Sequence, residues 1–163
     1  MKVPLVNEQD EIIGYKDRAD RNETDILRVS ALCLKHTDGR VLLAQRGLTL
    51  KNGPGKWGPA VAGTVEEDET YESNIVKESM EEIGYPLTVI KEFTKIRVQK
   101  RTNNYFAKVY IDTTDWPIEK FKIDPREVEQ IKWFTKPELR EFFKDKEKLT
   151  DGLSEHSELF LSI

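Results

Sequence analysis

The sequence predicts an α/β protein, a mixed sheet flanked by helices. Three observations lead there. Short apolar runs with strand-like alternation recur between turn signals, they are interleaved with few helical segments, and 163 residues suit one domain with a substantial core. Residues 1–163 are therefore read as a single domain, with residues 1–24 as an N-terminal hairpin extension.

Taken in order, Val3 to Val6 and Ile12 to Tyr15 flank the polar stretch Asn7-Glu8-Gln9-Asp10 and predict a small hairpin. A charged link follows from Lys16 to Thr24. Ile26 to Leu34 and Arg40 to Ala44 flank His36-Thr37-Asp38-Gly39, where Asp-Gly is a strong hairpin signal. Cys33 lies inside the first of these strands, as a packing residue. Gly47 to Gly58 form a loop marked by glycine and proline, and Pro59 to Val65 are extended. Beyond a central helix stopped by Pro86, Leu87 to Val98 and Tyr105 to Asp112 alternate as strands around the basic turn Lys100 to Asn104. Ile131 to Phe134 predicts one more strand. Thr135 and Pro137 open a helix with an apolar stripe of Leu139, Phe142 and Phe143, and a third helix near Ser154 to Leu161 buries Leu153, Leu159 and Phe160.

The central helix carries the chemistry. Thr70 is its N-cap, Glu72 lies in its first turn, and Gly84 is placed to end it in a left-handed conformation. At about 100° per residue from Tyr71, Glu78, Glu82 and Glu81 fall near −20°, +20° and −80°, beside an apolar face of Ile75, Ser79, Ile83, Val76 and Met80. Like charges at i and i+4 cost a helix roughly 0.2–0.5 kcal/mol, and more where a core excludes water. A divalent cation among the acids reverses that sign. An isolated acid-rich helix is commonly a solvated face, but here it follows the glycine loop Ala62-Gly63 and then Glu69.

Glycine, five residues, Glu69, seven residues and KESMEEIGY together resemble the signature of the Nudix hydrolase family, G-x5-E-x7-R-E-U-x-E-E-x-G-U. Gly63, Glu69, Glu78, Glu81, Glu82 and Gly84 match within a box spanning residues 63–85. Lys77 replaces the family's arginine, and Ser79 and Tyr85 stand at two of its apolar positions. Lysine offers a point charge where arginine offers a planar fork. The resemblance implies a Nudix-type α/β/α sandwich. It also implies Mg²⁺ or Mn²⁺ held by Glu78, Glu81, Glu82 and the Ala62 carbonyl, in accord with hard oxygen donors. Lys77 belongs to the expected catalytic set, and Glu127, six residues before Trp133, is its candidate late-loop acid, with Glu129 second.

Arg28, Arg46, Lys51 and Lys56 are the expected phosphate contacts, the last two in a glycine loop whose N–H groups can approach an anion. Trp57 either stacks on a base or walls the loop, with the wall as the expectation. The N-terminal half, VNEQDEIIGYKDRAD, LLAQR and PGKW, looks like the isopentenyl-diphosphate isomerase branch. The loop after Trp57 reads GlyProAlaValAlaGlyThrVal, however, without the isomerase cysteine or histidine, and His36 and His156 sit elsewhere. The expected reaction is therefore hydrolysis of a diphosphate linkage in a nucleoside diphosphate derivative. An isomerase and a non-catalytic nucleotide-binding module are the alternatives.

Charged residues make up 34% of the chain and the net charge is −4, which gives no general affinity for nucleic acid or anionic membrane. A lone cysteine and the lack of a signal-like segment fit a cytoplasmic protein. The hairpin either caps its own sheet or crosses to a partner, which leaves a homodimer open.

Overall fold

The computed structural model describes residues 1–163. The N-terminal hairpin forms as expected, from β1 (Lys2–Val6) and β2 (Ile12–Asp17). The main sheet has seven strands: β3 (Leu27–His36), β4 (Val41–Arg46), β5 (Trp57–Pro59), β6 (Val61–Thr64), β7 (Lys91–Gln99), β8 (Asn104–Thr114) and β9 (Val128–Phe134). Its path runs β5-β4-β3-β8-β7, with β6 on β3 and β9 on β4. β3 pairs in parallel with β8 along its whole length. Its other edge is divided, with Val29 to Leu32 on β6 and only Leu34 and Lys35 on β4. That division parts β4 from β6 and opens the sheet.

Alternation along the strands sends side chains into two cores. Ala31 and Cys33, Val41 and Leu43, and Ala107 and Val109 face one side, where they meet α2 (Lys136–Phe142), α3 (Asp151–Glu155) and α4 (Ser157–Ser162). Leu32, Leu34, Leu42 and Tyr110 face the other, against α1 (Tyr71–Ile83). Helices on both faces of a mixed sheet make an α/β/α sandwich. No helix is long and apolar enough to cross a membrane.

α1 begins at Thr70, whose side chain accepts from the Ser73 N–H while Ser73 answers the Thr70 N–H. It ends at Gly84, φ +67°, and a Cβ there would meet Lys122 at 3.0 Å. The expected apolar face needs correction. Val76 is 36% exposed and Met80 53%, whereas Tyr71, Asn74, Ile75, Ser79 and Ile83 are buried. The wheel gave their angles but not which arc a neighbour covers. The covered arc is centred near Ile75, so Glu78 and Glu82 lie within it and not beside it.

Three boundaries also differ. Pro86 to Ile90 stay irregular before β7, β9 starts three residues before Ile131, and the third helix is broken into α3 and α4 at His156, φ −120° and ψ 28°. The hairpin caps its own chain. Asp10 at its turn, φ 60°, is held by Arg28 at 2.8 Å, Lys95 at 2.6 Å and the Tyr71 hydroxyl at 2.9 Å.

Candidate active site

A cleft of about 750 Å³ opens where β4 and β6 diverge, and α1, the β4–β5 loop and the segment before β9 border it. Ala62 and Gly63 on β6, and Lys77, Glu78, Glu81 and Glu82 on α1, all line it. Glu78 lies directly over the β6 backbone. A Cβ on Gly63 would stand 2.4 Å from Glu78 Cγ and 2.7 Å from Cδ, so only glycine leaves room for this carboxylate. Here the box glycine serves close approach, with no positive φ required.

Burial raises both central acids. Glu78 is pushed up to about 7 by loss of water, opposed by Lys77 and reinforced by Glu81, Glu69 and Glu127. Glu82 is pushed up to about 8 by burial and then by Glu78, while a backbone hydrogen bond from Ala62 pulls it down and Glu127 adds to the rise. Glu127 reaches this point because its loop is tied to the helix end. The Asp124 N–H donates to the Glu82 carbonyl at 2.9 Å and the Lys122 N–H to that of Ile83 at 3.0 Å. The Gly47 N–H holds the Glu127 carbonyl at 2.8 Å from the other wall. Glu127 borders the cleft, whereas Glu129 does not.

Lys77 does not pair with Glu81, its i+4 neighbour. Its ammonium contacts Glu69, with Glu66 at 3.6 Å and Glu78 at 3.7 Å. Glu69 also accepts from Asn74 at 2.7 Å and the Glu66 N–H at 3.0 Å. Burial works against its charge, but Lys77 and these donors outweigh burial and hold the carboxyl below its usual value. Lys77 is thus a positioning residue that ties the entry loop to the helix.

The cations divide. Arg46 and Lys56 line the cleft, with Arg46 Nε donating to the Asn52 carbonyl at 2.9 Å. Arg28 and Lys51 do not reach it. Arg28 is consumed by Asp10 and stacks over Tyr71 at 5.1 Å, and Lys51 points to solvent. Two arginines missed in the sequence take their place. Arg18, on the turn after β2, and Arg21 both line the cleft. Burial, then Arg21 and Arg46, hold the Arg18 guanidinium below its ordinary value, against the pull of Glu127 and Glu78. Arg18, Arg21, Arg46 and Lys56 form no ion pair with any carboxylate within 4.0 Å. The only sequence signal was two arginines in a stretch read as a link.

Trp57 is a wall. It packs edge-on against Phe134 at 5.8 Å and Phe142 at 5.6 Å and does not border the cleft. No cysteine or histidine borders it either. Cys33 is buried, which pushes its thiol well above the usual range, and His36 packs edge-on against Trp133. No three acidic, cysteine or histidine side chains close into a preformed metal cage. The donor set fits a hard divalent cation in kind: carboxylate oxygens, two with raised pKa, brought over β6 by a glycine that any side chain would fill.

Carboxylates and guanidinium groups without a carboxylate partner thus border one cleft. The NUDIX domain model matches residues 26–153, and the chain belongs to the Nudix family of pyrophosphohydrolases. It is 27% identical to an uncharacterised Nudix hydrolase of Pseudomonas aeruginosa over 84% of this chain and 79% of that one. An isopentenyl-diphosphate Δ-isomerase of Kocuria rhizophila is 28% identical over 70% of this chain and 68% of its own length. A crystal structure from Deinococcus radiodurans superposes with a TM-score of 0.81 at 24% identity, over 95% of this chain and 96% of that chain, a likeness of fold.

Proposed function

We propose that the protein hydrolyses a diphosphate linkage in a nucleoside diphosphate derivative, with a divalent cation, Mg²⁺ or Mn²⁺, and with water attacking phosphorus. The observation that carries this reading is the pair Glu78 and Glu82, pushed up to about 7 and about 8 where α1 crosses β6, facing arginines that have no carboxylate partner. Two buried acids in mutual repulsion are stabilised by a cation. Glu78, Glu81, Glu82 and the Ala62 carbonyl would hold it, and it would supply charge neutralisation and a more acidic water.

The chain's own residues do the rest. Arg46 and Lys56, joined by Arg18 and Arg21, bind and orient the phosphoryl oxygens. A carboxylate at the cleft accepts the proton that water gives up as its oxygen bonds to phosphorus, and we assign that role to Glu127, which borders the cleft from the segment before β9. The bridging P–O bond breaks, leaving a nucleoside monophosphate and a phosphorylated remainder. Isomerisation of an isoprenoid diphosphate needs a proton donor at a carbon–carbon double bond, and the cleft offers no cysteine or histidine for it.

The test is a panel of nucleoside diphosphate derivatives and isopentenyl diphosphate, each with Mg²⁺, Mn²⁺ or a chelator. Metal-dependent cleavage that drops at least about 100-fold in Glu82→Gln supports the reading. Tight binding without turnover would make the chain a binding module, and conversion of isopentenyl diphosphate would make it an isomerase.

A further inference from the structure

The β4–β5 loop links two cations of the cleft, Arg46 and Lys56, yet little of its own backbone holds its tip. From Leu48 to Asn52 the only backbone hydrogen bond is the one that Leu50 donates to the Gly47 carbonyl, at 3.3 Å. Side chains hold the tip instead. Arg46 Nε donates to the Asn52 carbonyl at 2.9 Å, and Asn52 Nδ2 reaches across to Asn103 Oδ1 at 2.8 Å. Asn103 ends the turn between β7 and β8, which the Lys100 N–H closes on the Asn103 carbonyl at 2.8 Å. Its own Nδ2 donates to Asp151 Oδ2 at 2.7 Å. A carboxylate only accepts, so that bond fixes the orientation of the Asn103 amide and leaves Oδ1 for Asn52. Asp151 in turn stands on a fixed base: the Thr150 N–H donates to the Trp57 carbonyl at 2.8 Å, and Trp57 bridges to Leu149. Arg46, Asn52, Asn103 and Asp151 thus form one chain of contacts through three segments far apart in sequence, and all four border the cleft.

The chain of contacts ends on a phosphate-binding cation. Arg46 spends Nε on Asn52, and its two terminal nitrogens make no hydrogen bond within the chain, which leaves both for a phosphoryl group. Gly53, φ +58°, lets the loop tip lie against this side chain: a Cβ there would stand 3.6 Å from Arg46 Nε and 3.7 Å from Cδ. A guanidinium held before the ligand arrives loses less freedom on binding than one that must be ordered then. We propose that Asn103 is a positioning residue for Arg46: backed by Asp151, it anchors the tip of the β4–β5 loop through Asn52 and sets the guanidinium in place for a phosphoryl group. Arg46 takes its ligand from the hydrolytic reading, on which this inference rests, whereas the anchor itself is a property of the free protein.

Nitrogen-15 relaxation of the arginine Nε–H groups in the ligand-free chain tests the anchor directly, with the Arg46 signal assigned by its loss in Arg46→Lys. Its order parameter should be above about 0.7 in the parent and fall below about 0.6 in Asn103→Ala. Asn52→Ala cuts the same link from the other side, keeps the carbonyl that Arg46 uses, and should lower the order parameter alike. Asp151→Asn retains an acceptor for Asn103 and should keep the parental value, whereas Asp151→Ala should not. Calorimetric titration with methylenediphosphonate, a diphosphate analogue that water does not cleave, in the presence of Mg²⁺ measures the consequence. Affinity should fall about five- to tenfold in Asn103→Ala and in Asn52→Ala, and stay within about twofold in Asp151→Asn. On an Arg46→Ala background, Asn103→Ala should cost less than about twofold more, because the two residues act as one unit. Melting temperatures confirm that the variants fold. An Arg46 order parameter unchanged in both alanine variants overturns the proposal, as does a loss of affinity that adds in full to that of Arg46→Ala. Loss of order at Arg46 in a chain that cleaves no diphosphate would remove only the hydrolytic reading, and metal-dependent turnover with Arg46 equally ordered in every variant would remove only this one.

Discussion

Gly63→Ala separates catalysis from stability at this cleft. The added Cβ would lie 2.4 Å from Glu78 Cγ, 2.7 Å from Cδ and 3.0 Å from Oε1. Carbon atoms rest about 3.5–4.0 Å apart, so the contact must open by more than about 1 Å. Gly63 is paired with Ser30 in the middle of the β3–β6 ladder, so the strand holds and the Glu78 side chain gives way. A side chain driven off its rotamer costs about 0.5–1.5 kcal/mol, which for a chain of this length lowers Tm by roughly 1–6 °C. The catalytic cost is larger, because misplacing a functional group by about 1 Å costs on the order of 100-fold. Steady-state kinetics with the best substrate of the panel, beside a thermal melt, measure both. Activity within about threefold of the parent would refute the placement of Glu78 over β6. So would a Tm loss above roughly 10 °C, since the strand would then have given way.

Lys77→Met should lower activity about tenfold and stability by about 1 kcal/mol, because it releases Glu69 and Glu78 together, while Lys77→Arg stays within about threefold on the same assays. Metal-free protein should lose stability as pH rises from about 4.5 to about 8, since Glu78 and Glu82 keep protons in the folded state that the unfolded chain has already released; melts across that range check it. For the same reason Glu82→Gln should raise the metal-free Tm at pH 8.5 by about 3–6 °C, and no gain there would mean the carboxylate is adequately solvated. Arg18→Ala and Arg21→Ala should each raise KM about tenfold with kcat within about threefold, whereas Lys51→Ala should leave both at parental values. Asp10→Ala should cost about 2–3 kcal/mol in chemical denaturation, because it strands Arg28 and Lys95.

What the sequence disclosed follows the range of the interaction concerned. α1 was legible because its signals are local: a cap at Thr70 and a left-handed stop at Gly84. That Glu78, Glu81 and Glu82 share one side of the helix was legible for the same reason, though not that the sheet covers Glu78 and Glu82. Val76 and Met80 were misplaced because angular position says nothing about which arc β3 and β6 will cover. Arg28 was misassigned through a partner 18 residues away, since nothing near it in the chain announces that Asp10 will fold back onto it. Glu127 depended on a loop stitched to the last carbonyls of α1, a tertiary contact that its own neighbours do not encode.

The two walls of the cleft thus arise at different levels of structure, and this bears on how the site is controlled. Glu78, Glu81 and Glu82 come with the helix and are present whenever α1 is folded. Arg18 and Arg21 arrive only because the hairpin is docked, through Asp10 on Arg28, Lys95 and Tyr71, and through the Lys2 carbonyl accepting from the Glu67 N–H at 3.1 Å. Burial opposes the charge on Asp10, and its hydrogen bonds from Lys95, Arg28 and Tyr71 outweigh burial and hold its carboxyl below the usual value. The clamp therefore contributes in full above about pH 4, the ordinary value for an unfolded aspartate, and is lost as pH falls through its lower folded value. At neutral pH the clamp is fully formed and holds Arg18 and Arg21 at the cleft. Loosening the hairpin alone leaves the acid edge intact while removing two of the cations that face it, so substrate affinity should fail before the fold does.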